Sequence, residues 1–137
     1  MNLLARREHS RVEIFRKLSS KFEDLELLNH VLDELESENL LSDSRFAEEF
    51  VRYRGNRGFG PLHIQADLKN RGVSDEIISD YLNSTDSHWY ENLSELYQKR
   101  YSGIPVSDRK EQGKRMRFLQ SRGFSQSQIR RVMDTAQ

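Results

Sequence analysis

The chain contains no cysteine, so it has neither a disulfide framework nor a thiolate metal site, and its composition suits a reducing compartment. Long apolar runs are also missing. The longest is Leu3-Leu4-Ala5, too short to cross a bilayer or to form the core of a secretory signal. Histidine is sparse: His9, His30, His63 and His88 are scattered, with no pair one helical turn apart, which argues against a metal site. Net charge is zero, with 22 basic and 22 acidic residues, and this disfavours strong independent affinity for a polyanion.

The 137 residues suggest one compact unit with little room for a second. Apolar residues make up 35% and charged residues 32%, so the core is expected to be thin. The charge is polarised along the chain. Residues 1–50 hold 7 Lys and Arg against 12 Asp and Glu, whereas residues 101–137 hold 8 against 3. A basic end of this kind can meet phosphate or an acidic protein, and an acidic end can meet a basic patch.

An internal repeat sets the expected fold. Sliding Phe59–Leu82 forward by 51 sets Ile64 on Arg115, Leu68 on Leu119, Arg71-Gly72 on Arg122-Gly123, Ile78 on Ile129 and Leu82 on Met133. Sliding it back by 50 sets Ile64 on Ile14, Leu68 on Leu18, Arg71 on Lys21, Ile78 on Leu28 and Leu82 on Leu32. Each copy reads as a helix pair. In the middle copy Pro61 suits a first helical turn, Gly72 a left-handed helix stop, and Ser74 the cap of the next helix. Gly123 and Ser125 repeat this in the third copy. In the first, Ser10 is a cap and Phe22 stands where the glycine would be.

A further helix precedes the second pair, with Asp43 as its cap and Phe46, Ala47, Phe50, Val51 and Tyr53 on its buried side. Another, from about Asp86, carries Trp89, Leu93, Leu96 and Tyr97 ahead of the third. Before the first pair only Asn2–Glu8 is available, so that repeat is expected to be incomplete or clipped. The expectation is an all-α chain of three tandem three-helix repeats, residues 1–41, 42–84 and 85–137, forming an elongated, bent helical stack joined near Leu40–Ser42 and Ser84–Ser87.

Catalytic chemistry finds no footing. Gly58-Phe59-Gly60 lacks the preceding strand and the Lys-Ser or Lys-Thr of a phosphate loop, and reads as a helix break leading into Pro61. Glu34, Glu36 and Glu38 read as a solvated helix face. No nucleophile–base set can be placed. Catalytic, cofactor and metal residues are all expected to be absent, and the aromatic residues are expected to pack in the core.

The cations carry more information. Arg52, Arg54 and Arg57 follow the apolar stripe of the middle repeat. Lys110, Lys114, Arg115, Arg117, Arg130 and Arg131 dominate the third, where Arg122 adds a further cation. On a helix, Lys110, Lys114 and Arg117 share one face. These nine residues, Arg122 apart, form the candidate partner-binding set, with either an acidic protein or a phosphate backbone as the partner.

The pattern Asp43-x-Arg45-Phe46-Ala47-x-x-Phe50-x-x-x-Arg54-x-x-x-Gly58-x-Gly60-x-x-x-Ile64-x-x-x-Leu68-x-x-x-Gly72-Val73 resembles the central signature of the RecX family. Arg7-x-His9-Ser10-x-x-Glu13-Ile14-x-x-Lys17-Leu18 is similar to its first repeat. The resemblance implies a monomeric cytoplasmic regulator of recombination and the SOS response, built from three three-helix repeats, that binds RecA and RecA–single-stranded DNA filaments. It also implies inhibition of recombinase, ATPase and co-protease activity, by groove occupancy or blocked filament growth. It transfers no reactive residue. The alternative is a helical-repeat protein that acts directly on DNA; weak direct DNA binding is compatible with the RecA reading as well.

Overall fold

The computed structural model describes residues 7–83 and 86–136. Among these residues the chain is entirely helical, with α1 at Arg11–Leu18, α2 at Leu25–Ser37, α3 at Asp43–Asn56, α4 at Pro61–Asn70, α5 at Asp75–Asn83, α6 at Asp86–Tyr101, α7 at Arg109–Ser121 and α8 at Gln126–Ala136. The all-helical expectation therefore holds. Most of the Asn2–Glu8 segment and Ser84-Thr85 of the second joint lie outside the described residues. The chain divides into two compact units, residues 1–50 with 67–81 and residues 51–66 with 82–137.

In the first unit, α1 and α2 pack around Ile14, Leu28, Leu32 and Leu41, with Phe15, Leu18, Phe22 and Leu35 at the margin. Ser10 and Glu13 form a reciprocal capping box at the start of α1. Asp24 caps α2 by accepting from the Glu26 and Leu27 backbone N–H groups. Asn39, at φ 61°, takes the left-handed position after α2 that glycine takes elsewhere. Phe22, which replaces a glycine in the repeat, has no positive φ; α1 ends earlier and Phe22 turns in against the core. The cap of α3 corrects the sequence reading. Ser42 caps the helix, its hydroxyl accepting from Arg45 N–H at 3.2 Å. Asp43 instead accepts the Arg11 N–H at 2.8 Å, serving the start of α1.

The turn after α4 locks onto the start of α1. Arg71 C=O accepts from the Ser10 hydroxyl at 2.7 Å, and Asn70 C=O accepts from Arg16 at 2.9 Å. Gly72 has φ +82°, and a Cβ placed there would lie 2.1 Å from Val12 Cγ2.

The second unit uses the same device. Buried Trp89, Leu93 and Tyr97 on α6 and Leu119 on α7 belong to its core with Phe124, and α8 adds Ile129, Val132 and Met133. Asp108 caps α7, and Ser125 caps α8 in a box with Gln128. The turn 122–124 lies against the start of α4: Gly60 N–H donates to Arg122 C=O at 2.7 Å and Leu62 N–H to Gly123 C=O at 3.0 Å. A Cβ on Gly60 would sit 2.6 Å from the Gly123 carbonyl group, and one on Gly123, at φ +100°, 2.4 Å from His63 Cβ. Gly58-Phe59-Gly60 is thus a site of backbone-on-backbone approach, a stronger constraint than the simple helix break expected for it.

His9 gives the first unit a sensitivity to acid. It is buried, its Nδ1 lies 3.1 Å from Arg7 C=O, and its Nε2 lies 3.5 Å from Lys17 Nζ. Burial first, and then the charge of Arg7, hold its pKa below the ordinary 6.5. Because the unfolded chain protonates more readily, stability is full above about pH 6.5 and falls as the pH drops below it. Glu13 adds a second, lower loss. Burial works against its charge, but the Ser10 N–H, Arg7 and Arg71 outweigh burial and lower its pKa, so its contribution fades below about pH 4.5. The thermal midpoint is expected to fall between about pH 7.5 and about pH 5.5, and a His9→Gln protein is expected to lose most of that slope. A wild-type midpoint that stays flat across the window contradicts the assignment.

Candidate partner-binding surface

The expected cations occupy three places, all on residues of the second unit. At the end of α3, Arg52 and Arg57 are exposed and Arg54 is half-buried. Arg57 lies over the Tyr53 ring at 4.9 Å and Arg54 over the Phe59 ring at 5.2 Å. Tyr53 itself corrects the expectation of a core role: it is 54% exposed, whereas Phe46, Trp89 and Tyr97 are buried. On α7, Lys110, Lys114 and Arg117 are exposed. Glycine at position 113 leaves room beside them, and the Arg117 guanidinium lies 3.2 Å from where a Cβ of that residue would stand. On α8, Arg130 and Arg131 are exposed, Arg131 lying over the Tyr90 ring at 4.3 Å. Arg130 also lines an open groove between α7 and α8 with Arg109, Gln112, Met116, Met133 and Asp134.

Arg115 does not belong to this surface. It is 3% exposed and is consumed by internal bonds, donating to Tyr97 Oη at 2.8 Å, Ile104 C=O at 2.9 Å and Glu111 at 3.1 Å, with Tyr101 beneath it at 4.3 Å. The physical reason is its repeat position. Arg115 stands where the other copies place Ile14 and Ile64, both fully buried. A buried guanidinium needs several acceptors, and here it has them.

The acidic helix α2 behaves as expected of a solvated face. Glu34, Glu36 and Glu38 are exposed, and Arg11 bridges Asp33 and Glu36. Among the described residues, no group of three or more His, Asp or Glu side chains is arranged to hold a metal ion, and no helix is long and apolar enough to cross a membrane.

Sequence reasoning passed over a set of residues that the structure brings together. Arg122 lies over both Phe59, at 4.7 Å, and Phe118, at 5.5 Å, while Arg100 covers Phe118 at 3.8 Å. His63 stacks on Phe59 with ring centroids 4.5 Å apart. One signal for Arg122 was available: a basic residue precedes the turn in the register of all three copies, at Lys21, Arg71 and Arg122. For Arg100 and Phe118, whose meeting depends on the packing of α6 on its neighbours, there was none.

Residues 42–82 match the family model for the second three-helix domain of RecX, and residues 86–133 match that for the third. The chain is 41% identical over 133 residues to Regulatory protein RecX of Pseudomonas entomophila strain L48, covering 97% of this chain and 86% of that relative. The chain belongs to the RecX family. Regulatory protein RecX of Ectopseudomonas mendocina strain ymp is likewise 41% identical, over 97% of this chain and 89% of its own. Among solved structures, RecX from Lactobacillus salivarius superposes with a TM-score of 0.81 at 28% identity, covering 98% of this chain and 90% of that one. A second, described as regulatory protein RecX, gives 0.79 at 26% identity, covering 97% and 67%. The protein is accordingly a RecX-family regulator with the family's helical repeat fold.

Proposed function

We propose that this regulator binds RecA and the RecA filament on single-stranded DNA, and that it inhibits recombinase, ATPase and co-protease activity by binding rather than by catalysis. It does so as a cytoplasmic monomer of three repeats, residues 1–41, 42–84 and 85–137. The observation that carries the reading is 41% identity to proteins named Regulatory protein RecX along 97% of the chain. The surface chemistry supports it. The exposed cations Lys110, Lys114 and Arg117 lie on one face of α7, and Arg130 and Arg131 add to them on α8. Such a face steers association with an acidic partner and is weakened by salt.

Binding to RecA–single-stranded DNA filaments at moderate salt tests this. Replacing Lys110, Lys114 and Arg117 together by Glu is expected to weaken binding at least about tenfold, roughly 1.4 kcal/mol, and to flatten its salt dependence. Unchanged affinity removes the α7 face from the mechanism. Direct DNA binding is the second reading, favoured by the same cations; it predicts tight binding to bare single strands that falls steeply with salt.

A further inference from the structure

The two turn-on-helix locks differ in their charges. In the first unit the arginine of the turn is fully compensated: the Arg71 guanidinium bonds Glu13 at 2.5 Å and Asp67 at 3.4 Å, and lies over the Phe50 ring at 5.0 Å. The repeat register pairs Arg71 with Arg122, Glu13 with His63 and Asp67 with Phe118. In the second unit the arginine is therefore kept, but both carboxylates are gone. Arg122 is held only by the faces of Phe59 and Phe118, and neither it nor Arg100 forms an ion pair with a described residue. His63, where the first unit has Glu13, has a buried Nδ1 with no hydrogen-bond partner.

Arginines stacked on rings keep the edges of the guanidinium open, and those edges match a carboxylate with two parallel hydrogen bonds. Stacking also restrains the side chains in advance, so less freedom is lost on binding. We propose that the strip Arg100–Phe118–Arg122–Phe59–His63 docks an acidic protein segment, whose carboxylates give Arg122 and Arg100 what Glu13 and Asp67 give Arg71. A protein segment fits better than a nucleic acid strand for a reason visible in the strip. Phe59 is covered by Arg54, Arg122 and His63, and Phe118 by Arg100 and Arg122, so their faces are already engaged where base stacking needs them open. The site is defined by its own chemistry and does not depend on the filament reading.

The test uses the full chain at low ionic strength with two probes, a fluorescent peptide of eight glutamates and an oligothymidine of similar charge. Peptide binding is expected to shift the Arg122 side-chain and His63 ring NMR signals. Arg122→Gln and Arg100→Gln are each expected to weaken it about fivefold, the loss of about 1 kcal/mol. Lys21→Gln, which removes one positive charge from an exposed residue of the first unit outside both binding surfaces, leaves it unchanged. Should Arg122→Gln lower the thermal midpoint, the exposed Arg100 variant still decides the matter. Absence of peptide binding overturns the proposal, as does equal weakening by Lys21→Gln. So does sensitivity of the oligothymidine, and not of the peptide, to the strip substitutions.

Discussion

Replacing Gly123 by alanine is expected to destabilise the protein by about 4 kcal/mol, a large part of the whole stability of a domain this size. Three effects act together. A non-glycine residue at φ +100° is strained by roughly 1–2 kcal/mol. The new methyl would stand 2.5 Å from His63 N and 2.4 Å from His63 Cβ, so backbone must move, an overpacking cost of about 1–3 kcal/mol. That movement opens the bonds from Gly60 N–H to Arg122 C=O and from Leu62 N–H to Gly123 C=O, each worth about 1 kcal/mol. Gly60→Ala attacks the same contact from the other side, and the double variant is expected to lose less than the sum of the two. Gly103→Ala is the control. Its φ is +73°, but the nearest atom to a new Cβ is Gln98 Oε1 at 3.8 Å, so only the backbone strain of about 1 kcal/mol remains. Urea denaturation separates the cases, and equal midpoint shifts for Gly123→Ala and Gly103→Ala contradict the close-approach account.

Arg115→Ala is expected to cost about 3–5 kcal/mol, although arginine is ordinarily a surface residue. Truncation opens a cavity and leaves the buried Tyr97 hydroxyl and the Ile104 carbonyl without their donor. Arg115→Met fills the space with the apolar character that Ile14 and Ile64 have at the equivalent positions, and is expected to cost about half as much or less. Both variants that fold should bind filaments with wild-type affinity. An Arg115→Ala protein of unchanged stability but impaired binding would return this residue to the surface.

Much of the fold was legible because it is written in local chemistry. Pro61 at a first turn, Ser10, Ser74 and Ser125 as caps, and Gly72 and Gly123 as left-handed stops all took the positions expected of them. Local chemistry fails where a residue serves another part of the chain. Asp43 looks like a cap, yet its carboxylate goes to Arg11, and Gly60 is required by a turn more than sixty residues away. Arg115 is instructive for a different reason. The repeat register placed it on two isoleucines, but its charge suggested solvent; position outweighed residue type because Tyr97, Ile104 and Glu111 supplied acceptors. The strip around Arg122 was illegible because it gathers α6, α7 and the Phe59 turn, which no linear pattern connects.

ATP hydrolysis by preformed RecA filaments on single-stranded DNA, followed as this protein is added, tests the central claim most directly. The account predicts that hydrolysis falls with added protein. A fall far below one protein per RecA indicates blocked growth, and a fall only near saturation indicates occupancy along the groove. Hydrolysis that continues undiminished at saturating protein would contradict it.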